Sequence, residues 1–509
     1  MLFLYACDTT GPETEVVPPE EEPPPPPQAD CRPAPGNPAG FEAIRGQVKR
    51  PAEQLQHRLS EADPQFAGIY ISDDGLLTLA VAGNDIQASA ELDAAVRHEM
   101  RSGLLRTADL AQRSGGAAIQ AVTADFTFRE LAAWRETVTA RVLGSRRFPH
   151  VISSFIDEAE NRVMLGVDAR HFHAGSIGQL RQFASETLGI PETALVIFAD
   201  QPDLEDGEWD DAHEPAFRTA AVAGAGIGLS DDGEDASDLS GSIQARQRPL
   251  VGGLRIRFGS SSLCTMGFFG TAGEREVMVT NAHCSVLPHR TGSTIYWQGA
   301  RNNDDDEIGI ELDGGDPTME ACVEMNDDCW PCKWSDAALV QLNAEVPRLP
   351  ENIAKTTVES TDWMSNGSLI IDTDDPVFTV VGLETSLIQG MEVHKVGGNS
   401  GWGSGPVTRT CYDSRRSSHG FILQCQNRAR YSTDGGGTSG SPVFVRLPQE
   451  NHPDVPNPVA IAGIHWGSSA RDTPGGYSAF SPLSGILTDL PLLEVARVTP
   501  PASAALRAD

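Results

Sequence analysis

The chain has 509 residues and a formal net charge of −33. Its length allows roughly three domains, and charge this negative argues against nucleic acid as a partner. No apolar run reaches the roughly 18 residues that a membrane-spanning helix needs, and the acid is gathered in particular tails and loops.

Taken in order, Met1-Leu-Phe-Leu-Tyr-Ala-Cys7 is short and apolar and ends in a small residue before a cysteine. It resembles the tail of a bacterial lipoprotein signal, without the basic start and most of the apolar stretch of such a signal. Two alternatives stay open for residues 1–7: a remnant of that signal, with Cys7 lipidated and the protein anchored to the membrane, or chance. Residues 8–38 are acidic and proline-rich, with Glu20-Glu-Glu followed by five prolines. Such a segment cannot bury a core and reads as an extended, solvated spacer.

Residues 40–200 read as an α+β domain in two parts. Phe66-Ala-Gly-Ile-Tyr-Ile71 and Leu76 to Val81 flank an Asp74-Gly75 turn, a hairpin pattern. Ala118 to Val122 offers another strand. Thr127-Phe-Arg-Glu130 is a capping box, and Leu131, Trp134, Val138 and Val142 follow at helical spacing. The plan then repeats: a hairpin from His150 to Val167, a helix capped by Ser176, and a strand from Thr193 to Phe198. Residues 201–245 are acidic and rich in Gly and Ser, and read as a linker. Arg246-Gln-Arg-Pro-Leu-Val-Gly-Gly253 follows and is the expected region of a maturation cleavage.

Residues 246–495 read as short apolar strands broken by Gly, Pro and Asp, an all-β pattern, with a tail at 496–509. Three stretches here carry chemistry. Val277-Met-Val-Thr-Asn-Ala-His283-Cys284 is a buried strand stopping at a His. Ser335-Asp336-Ala-Ala-Leu-Val-Gln-Leu342 is an Asp leading into an apolar strand. Gly437-Thr-Ser439-Gly-Ser441-Pro442 places a serine among small residues. A serine hydroxyl is a weak nucleophile and needs a base within hydrogen-bond reach, itself oriented by a third group. Each stretch alone also fits a structural role: a His-Cys after a strand, a turn Asp, a Gly-rich loop.

In the order His, Asp, Ser the three resemble the motifs of chymotrypsin-like serine proteases, closest to the bacterial α-lytic protease and streptogrisin type. The resemblance implies two six-stranded β-barrels, with His283 as general base, Asp336 as its orienting partner and Ser439 as nucleophile. The N–H groups of Gly437 and Ser439 would form an oxyanion hole, a donor of that kind contributing about 3–4 kcal/mol. Residues 40–200 resemble that family's two-part pro-region, which implies an intramolecular chaperone and inhibitor; an unrelated α+β binding domain is the alternative. Gly398-Asn-Ser400-Gly401 is a second serine among glycines, but its surroundings resemble a turn of the bacterial enzymes upstream of the nucleophile.

Ala460 to Gly467 resembles the strand that pairs with substrate backbone, with His465 standing where Ser is usual. His465 either lines the cleft or is a tolerated variant. His465, Trp466, Gly467, Gly475 and a pocket floor at Thr433 form the expected substrate site. An uncharged Thr433 favours a large apolar residue, and a register shifted to Asp434 favours Arg or Lys. Thr438 replaces an Asp that in animal enzymes pairs with a new N-terminus, so that activation route is not expected.

Of the nine cysteines, Cys264 and Cys284 are expected to bond by resemblance to the streptogrisin segment, and Cys411 with Cys425 to close a hairpin-like loop. Cys322, Cys329 and Cys332 lie in an acidic loop, which leaves one of them for Cys31 or as a free thiol. Disulfides imply an oxidising compartment and hence export to the cell envelope or medium. Cys329-x-x-Cys332 lacks a second pair for zinc. The acidic loop from Asn302 to Asp316 is either solvated or a calcium site without EF-hand spacing. No cofactor is expected. The overall expectation is an exported, monomeric serine endopeptidase acting on protein or peptide substrates, with a non-catalytic binding module and an esterase as alternatives.

Overall fold

A computed structural model describes residues 50–83, 90–102, 119–205, 239–259, 262–299, 304–315, 330–416, 420–431, 437–469 and 476–498. The described residues are mostly β-sheet with few helices, and none of those helices is long and apolar enough to cross a membrane.

The N-terminal part contains helix α1 (Gln54–Ala62), strands β1 (Phe66–Ile71) and β2 (Leu77–Ala82), helix α2 (Ala90–Ser102), strand β3 (Gln120–Ala124) and helix α3 (Phe128–Val138). β1 and β2 form the expected antiparallel hairpin, and β3 adds parallel to β2. Thr127 and Glu130 close the capping box on each other's backbone N–H groups. Leu131 and Val138 turn inward against Phe66 and Phe128. Helices α1 and α2 lacked a distinct cap signal and were not expected. The second hairpin is β4 (Val151–Asp157) with β5 (Arg162–Asp168), followed by helix α4 (Ala174–Gln182), β6 (Leu195–Asp200) and β7 (Leu204–Glu205). His173, not Ser176, is the N-cap of α4. Ser176 sits at the third helical position and completes a capping box whose acceptor is the imidazole of His173.

The C-terminal part carries β8 (Leu250–Gly252), β9 (Arg255–Phe258), β10 (Ser262–Thr265), β11 (Phe269–Ala272), β12 (Arg275–Thr280), β13 (Ile295–Trp297), β14 (Glu307–Asp313), β15 (Cys332–Lys333) and β16 (Ala338–Leu342). It continues with β17 (Arg348–Ala354), β18 (Val377–Leu383), β19 (Glu392–Gly397), β20 (Gly401–Arg416), β21 (Phe421–Ala429), β22 (Pro442–Arg446), β23 (Pro458–Ser468), β24 (Ser478–Pro482), helix α5 (Leu483–Asp489) and β25 (Leu493–Val495). One sheet has eight strands in the order β10-β9-β13-β14-β16-β12-β11-β25. A second has fourteen and runs β15-β21-β24-β23-β22-β19-β20-β4-β5-β6 along its main path, with β20 also pairing β21. That last pairing joins the two ends of the six-strand run β21-β24-β23-β22-β19-β20.

The three strands β1, β2 and β3 form a sheet of their own. The second hairpin is not separate. β4 pairs with β20, Asp413 opposite Ser154 and Ser414 opposite Ser153, so the large sheet crosses from one part of the chain to the other. A single apolar core follows it, from Phe66, Leu79 and Phe128 through Val151 and Leu165 to Val393, Val443 and Phe480. A buried polar seam lies alongside. Arg50 Nη2 meets Asp413 Oδ2 at 2.9 Å, Thr139 Oγ1 donates to the same oxygen at 2.7 Å, and Arg135 Nη2 meets Glu53 Oε2 at 2.8 Å. Such pairs hold because each charge in the dry interior has a hydrogen-bonded partner.

The linker expectation also changes at both ends. Asp200 ends β6, and β7 pairs antiparallel with β23, Leu204 opposite Ser468 and Glu205 opposite Gly467. At the far end Leu239, Ile243 and Gln247 are already buried. The Ile243 N–H donates to Leu369 O at 2.9 Å, and the Ile371 N–H to Gly241 O at 2.8 Å. Only residues 206–238 of that linker lie outside the described residues.

Glu158, at the tip of the second hairpin, is buried against β20 and accepts from Thr410 Oγ1 at 3.2 Å. Burial, with the neighbouring Asp157 charge, pushes its carboxyl up to about 8. A carboxyl raised on folding contributes stability that is fully present below its unfolded value and is lost as pH rises through the folded one. Glu384, also raised by burial to about 8, acts with the same sign. Thermal midpoints measured from pH 5 to 8.5 should therefore fall for the native chain, and Glu158→Gln should remove a few degrees of that fall.

Candidate active site

β12 is apolar because it is covered on both faces: Val277, Met278 and Val279 are fully buried. The strand pairs with β16, Thr280 opposite Ala338, which brings its C-terminal end beside the segment leading into β16. Asp336 lies just before β16. Its backbone carbonyl takes Asn281 Nδ2 at 2.7 Å and the Ala282 N–H at 3.2 Å. Its carboxylate takes the His283 backbone N–H at 3.1 Å and His283 Nδ1 at 2.5 Å. His283 Nε2 then lies 2.8 Å from Ser439 Oγ. The three residues singled out by motif are thus in hydrogen-bond contact, in the order serine, imidazole, carboxylate.

The Asp336 backbone is anchored to the second large sheet as well. The Asp336 N–H donates to Ser481 Oγ on β24 at 2.8 Å, and Ser481 donates to Gln426 Oε1 on β21 at 2.8 Å. Asp489 on α5 takes the Trp334 and Ser335 N–H groups at 3.0 and 2.7 Å. Burial raises the Asp489 carboxyl, against the pull of Lys333 and of these hydrogen bonds. The Cys264–Cys284 disulfide ties the residue after His283 to β10.

The serine turn is fixed by its carbonyls. Thr265 Oγ1 donates to Gly437 O at 2.8 Å and the Thr265 N–H to Ser439 O at 2.6 Å. The Gly440 N–H donates to His465 O at 2.9 Å. Among the described residues, the N–H groups of Gly437 and Ser439 are not spent on these bonds. Gly440 has φ +90°, and a Cβ there would fall 2.2 Å from Thr265 O, so only glycine fits. Ser441 donates its hydroxyl to Thr438 O and braces the turn.

The expected substrate residues divide. Gly467 lies on the edge of β23 that pairs β7. His465 is fully buried, with Nδ1 3.2 Å from Tyr431 Oη. Trp466 is also fully buried. Its Nε1 donates to Gln426 Oε1 at 3.0 Å, so the ring supports the Ser481–Asp336 chain from behind. Thr433, Gly475, Cys7, Cys31, Cys322 and Cys329 lie outside the described residues. Cys411 and Cys425 are bonded as expected. Cys332 is in a disulfide, which settles it as neither zinc ligand nor free thiol.

Two elements escaped the sequence reading. His289, buried, has Nδ1 3.4 Å from Asp336 Oδ1, so the carboxylate sits between two imidazoles. A His six residues after His283 carries no signal of its own. Lys395, fully buried on β19, donates to Ser400 Oγ, which takes Thr438 Oγ1 at 3.3 Å. The neutral Thr438 is thereby linked to a buried ammonium.

Neither group of clustered ligand types calls for a metal. Cys264 and Cys284, beside His283, are bonded to each other. His394 lies between Glu359 at 3.1 Å and Glu392 at 3.3 Å; burial opposes its charge, and the two carboxylates hold its pKa above the ordinary value. On the acidic loop, Asp306 pairs with Arg246 at 2.7 Å and Glu311 takes Ser285 Oγ at 3.0 Å. These contacts leave fewer oxygens for the calcium alternative.

No family model and no curated protein matches the chain. Solved structures do. Thermobifida fusca protease A is 16% identical, with 49% of this chain and 98% of that one covered and a TM-score of 0.31. Cellulomonas bogoriensis chymotrypsin is 17% identical, with 49% and 98% covered and a TM-score of 0.32. An α-lytic protease homologue, N4, is 16% identical, with 48% and 99% covered and a TM-score of 0.32. The neighbours are bacterial chymotrypsin-like serine proteases, similar over about half of this chain at low identity. The contacts of Ser439, His283 and Asp336 carry the functional reading, and these scores add nothing to it.

Ser481→Ala removes the acceptor for the buried Asp336 N–H. Leaving such a group unsatisfied costs about 1–3 kcal/mol. Denaturant unfolding should show a loss of that size, with the slope unchanged.

Proposed function

We propose that the chain is an exported serine endopeptidase. The observation that carries this is the contact of Ser439 Oγ with His283 Nε2 at 2.8 Å, with His283 Nδ1 on Asp336 at 2.5 Å. His283 takes the Ser439 proton as Oγ attacks the peptide carbonyl. Asp336 holds the tautomer and stabilises the imidazolium. The unspent N–H groups of Gly437 and Ser439 receive the developing oxyanion. His283 then protonates the leaving amine, and water hydrolyses the acyl-enzyme by the same route in reverse. The catalytic part corresponds to two barrels, His283 and Asp336 on one and Ser439 on the other. Export is supported by the Cys264–Cys284 and Cys411–Cys425 disulfides.

The N-terminal part acts as folding partner and inhibitor. Two contacts support this: β4 completes the sheet beside β20, and β7 occupies the edge of β23 next to the serine turn. A partner bound this way stabilises the folded catalytic part and blocks its cleft. Maturation cleavage belongs within residues 206–238 and not at 246–253, because Gln247, Leu250 and Val251 are buried.

The test is fluorophosphonate labelling of the purified chain with peptide mapping. A single adduct on the Ser439 peptide is expected, absent in Ser439→Ala and at least about 10³-fold slower in His283→Ala. N-terminal sequencing of any active fragment should begin between residues 207 and 239. No adduct on a folded chain freed of its N-terminal part would overturn the enzyme in favour of a binding module.

A further inference from the structure

Beside the cleft, one carboxylate is bound far more completely than a structural ion pair requires. Asp203 comes from the N-terminal part, immediately before β7. Its Oδ1 takes Arg428 Nη2 at 2.8 Å and Tyr477 Oη at 2.8 Å. Its Oδ2 takes Ser414 Oγ at 2.5 Å and Tyr412 Oη at 3.1 Å. Its backbone carbonyl accepts from Arg416. All of these donors belong to the C-terminal part: Tyr412, Ser414 and Arg416 to β20, Arg428 to β21, and Tyr477 to the residue before β24.

The receptor is built. Arg428 is fully buried, with its guanidinium 4.3 Å from the Tyr412 ring and 3.9 Å from the Tyr477 ring. Arg428 also reaches Asp200 at 3.4 Å, and Asp200 is again a residue of the N-terminal part. Once that part leaves, Arg428 keeps neither of these carboxylates, and a buried cation needs an anion or water in their place. The position relative to the cleft is set by backbone pairing. Glu205 lies opposite Gly467, so Asp203 is two residues before the residue paired with Gly467. A strand paired in this register runs antiparallel to β23, in the direction of His465, whose carbonyl holds Gly440 beside Ser439.

We propose that Arg428, Tyr477, Tyr412 and Ser414 form an anion subsite of the cleft. It takes an Asp or Glu side chain of an extended peptide substrate, two residues before the one that pairs with Gly467. In the intact chain Asp203 fills it and fastens the inhibitory segment. The inference rests on the endopeptidase reading and deepens it: the substrates are acidic segments. A carboxylate accepting four donors, one of them a guanidinium, is bound much more strongly than the isosteric amide, which presents one oxygen and a repelled NH₂ group.

The experiment compares the full-length native chain with its Asp203→Asn and Tyr477→Phe variants, reading the rate at which a fluorophosphonate modifies Ser439, with thermal unfolding as the check on folding. Asp203→Asn is expected to speed labelling about tenfold or more, because the segment is no longer fastened. Tyr477→Phe, which keeps the ring and loses one donor, should speed it by a smaller factor. The acetylated heptapeptide Gln-Pro-Asp-Leu-Glu-Asp-Gly, residues 201–207, is then added to the Asp203→Asn chain. It should slow labelling at a concentration at least about tenfold below that needed for the same peptide with Asn at its third position. Labelling unchanged in both variants, or equal inhibition by the two peptides, overturns the subsite while leaving the endopeptidase standing. Folded variants in which Ser439 never reacts overturn both.

Discussion

Everything else in the molecule depends on the long hairpin of β20 and β21. Its two strands close one run of the large sheet, and β20 then continues past that run to pair with β4. An unpaired strand edge is a row of unsatisfied N–H and C=O groups that some partner tends to fill. Here the chain fills it with its own N-terminal hairpin. Because Gln426 and Arg428 ride on β21, and Tyr412 and Ser414 on β20, the same hairpin positions both the support of Asp336 and the pocket around Asp203.

The contact of Ser439, His283 and Asp336 is a consequence of two sheets meeting. His283 and Asp336 come from one, Ser439 from the other, and a line of hydrogen bonds through Ser481 and Gln426 crosses between them. None of the three side chains is aligned by its own element alone. The carbonyls that fix the serine turn are held by Thr265 of the first sheet and His465 of the second. This arrangement of the three side chains therefore requires both sheets to be docked.

The parts legible in sequence are those where local chemistry dictates residue type. Small residues around Ser439, an apolar strand stopping at His283 and an Asp before Ala338 could be read directly, as could the Thr127 capping box. The first hairpin was legible through its Asp-Gly turn and the second through its alternating apolar runs. What remained hidden was long-range. Nothing in Val151 to Asp157 announces that this strand pairs with residues some 260 positions later. His289 and Lys395 look like ordinary polar residues until the fold closes over them. Ser176 resembles a cap because serine favours that place, whereas His173 fills it with a ring nitrogen. Arg246 to Gly253 read as exposed by composition, yet tertiary packing buries Gln247 and Leu250.

The seam between the two parts is charged as well as apolar. Arg50 meets Asp413 there, and Arg428 meets Asp200 and Asp203. A purely apolar seam would leave two sticky surfaces once the parts separate. This one leaves guanidinium and carboxylate groups that water solvates well. Were the N-terminal part released as proposed, each face would be suited to staying dispersed in water, and the groups that hold the two parts together would keep them from aggregating.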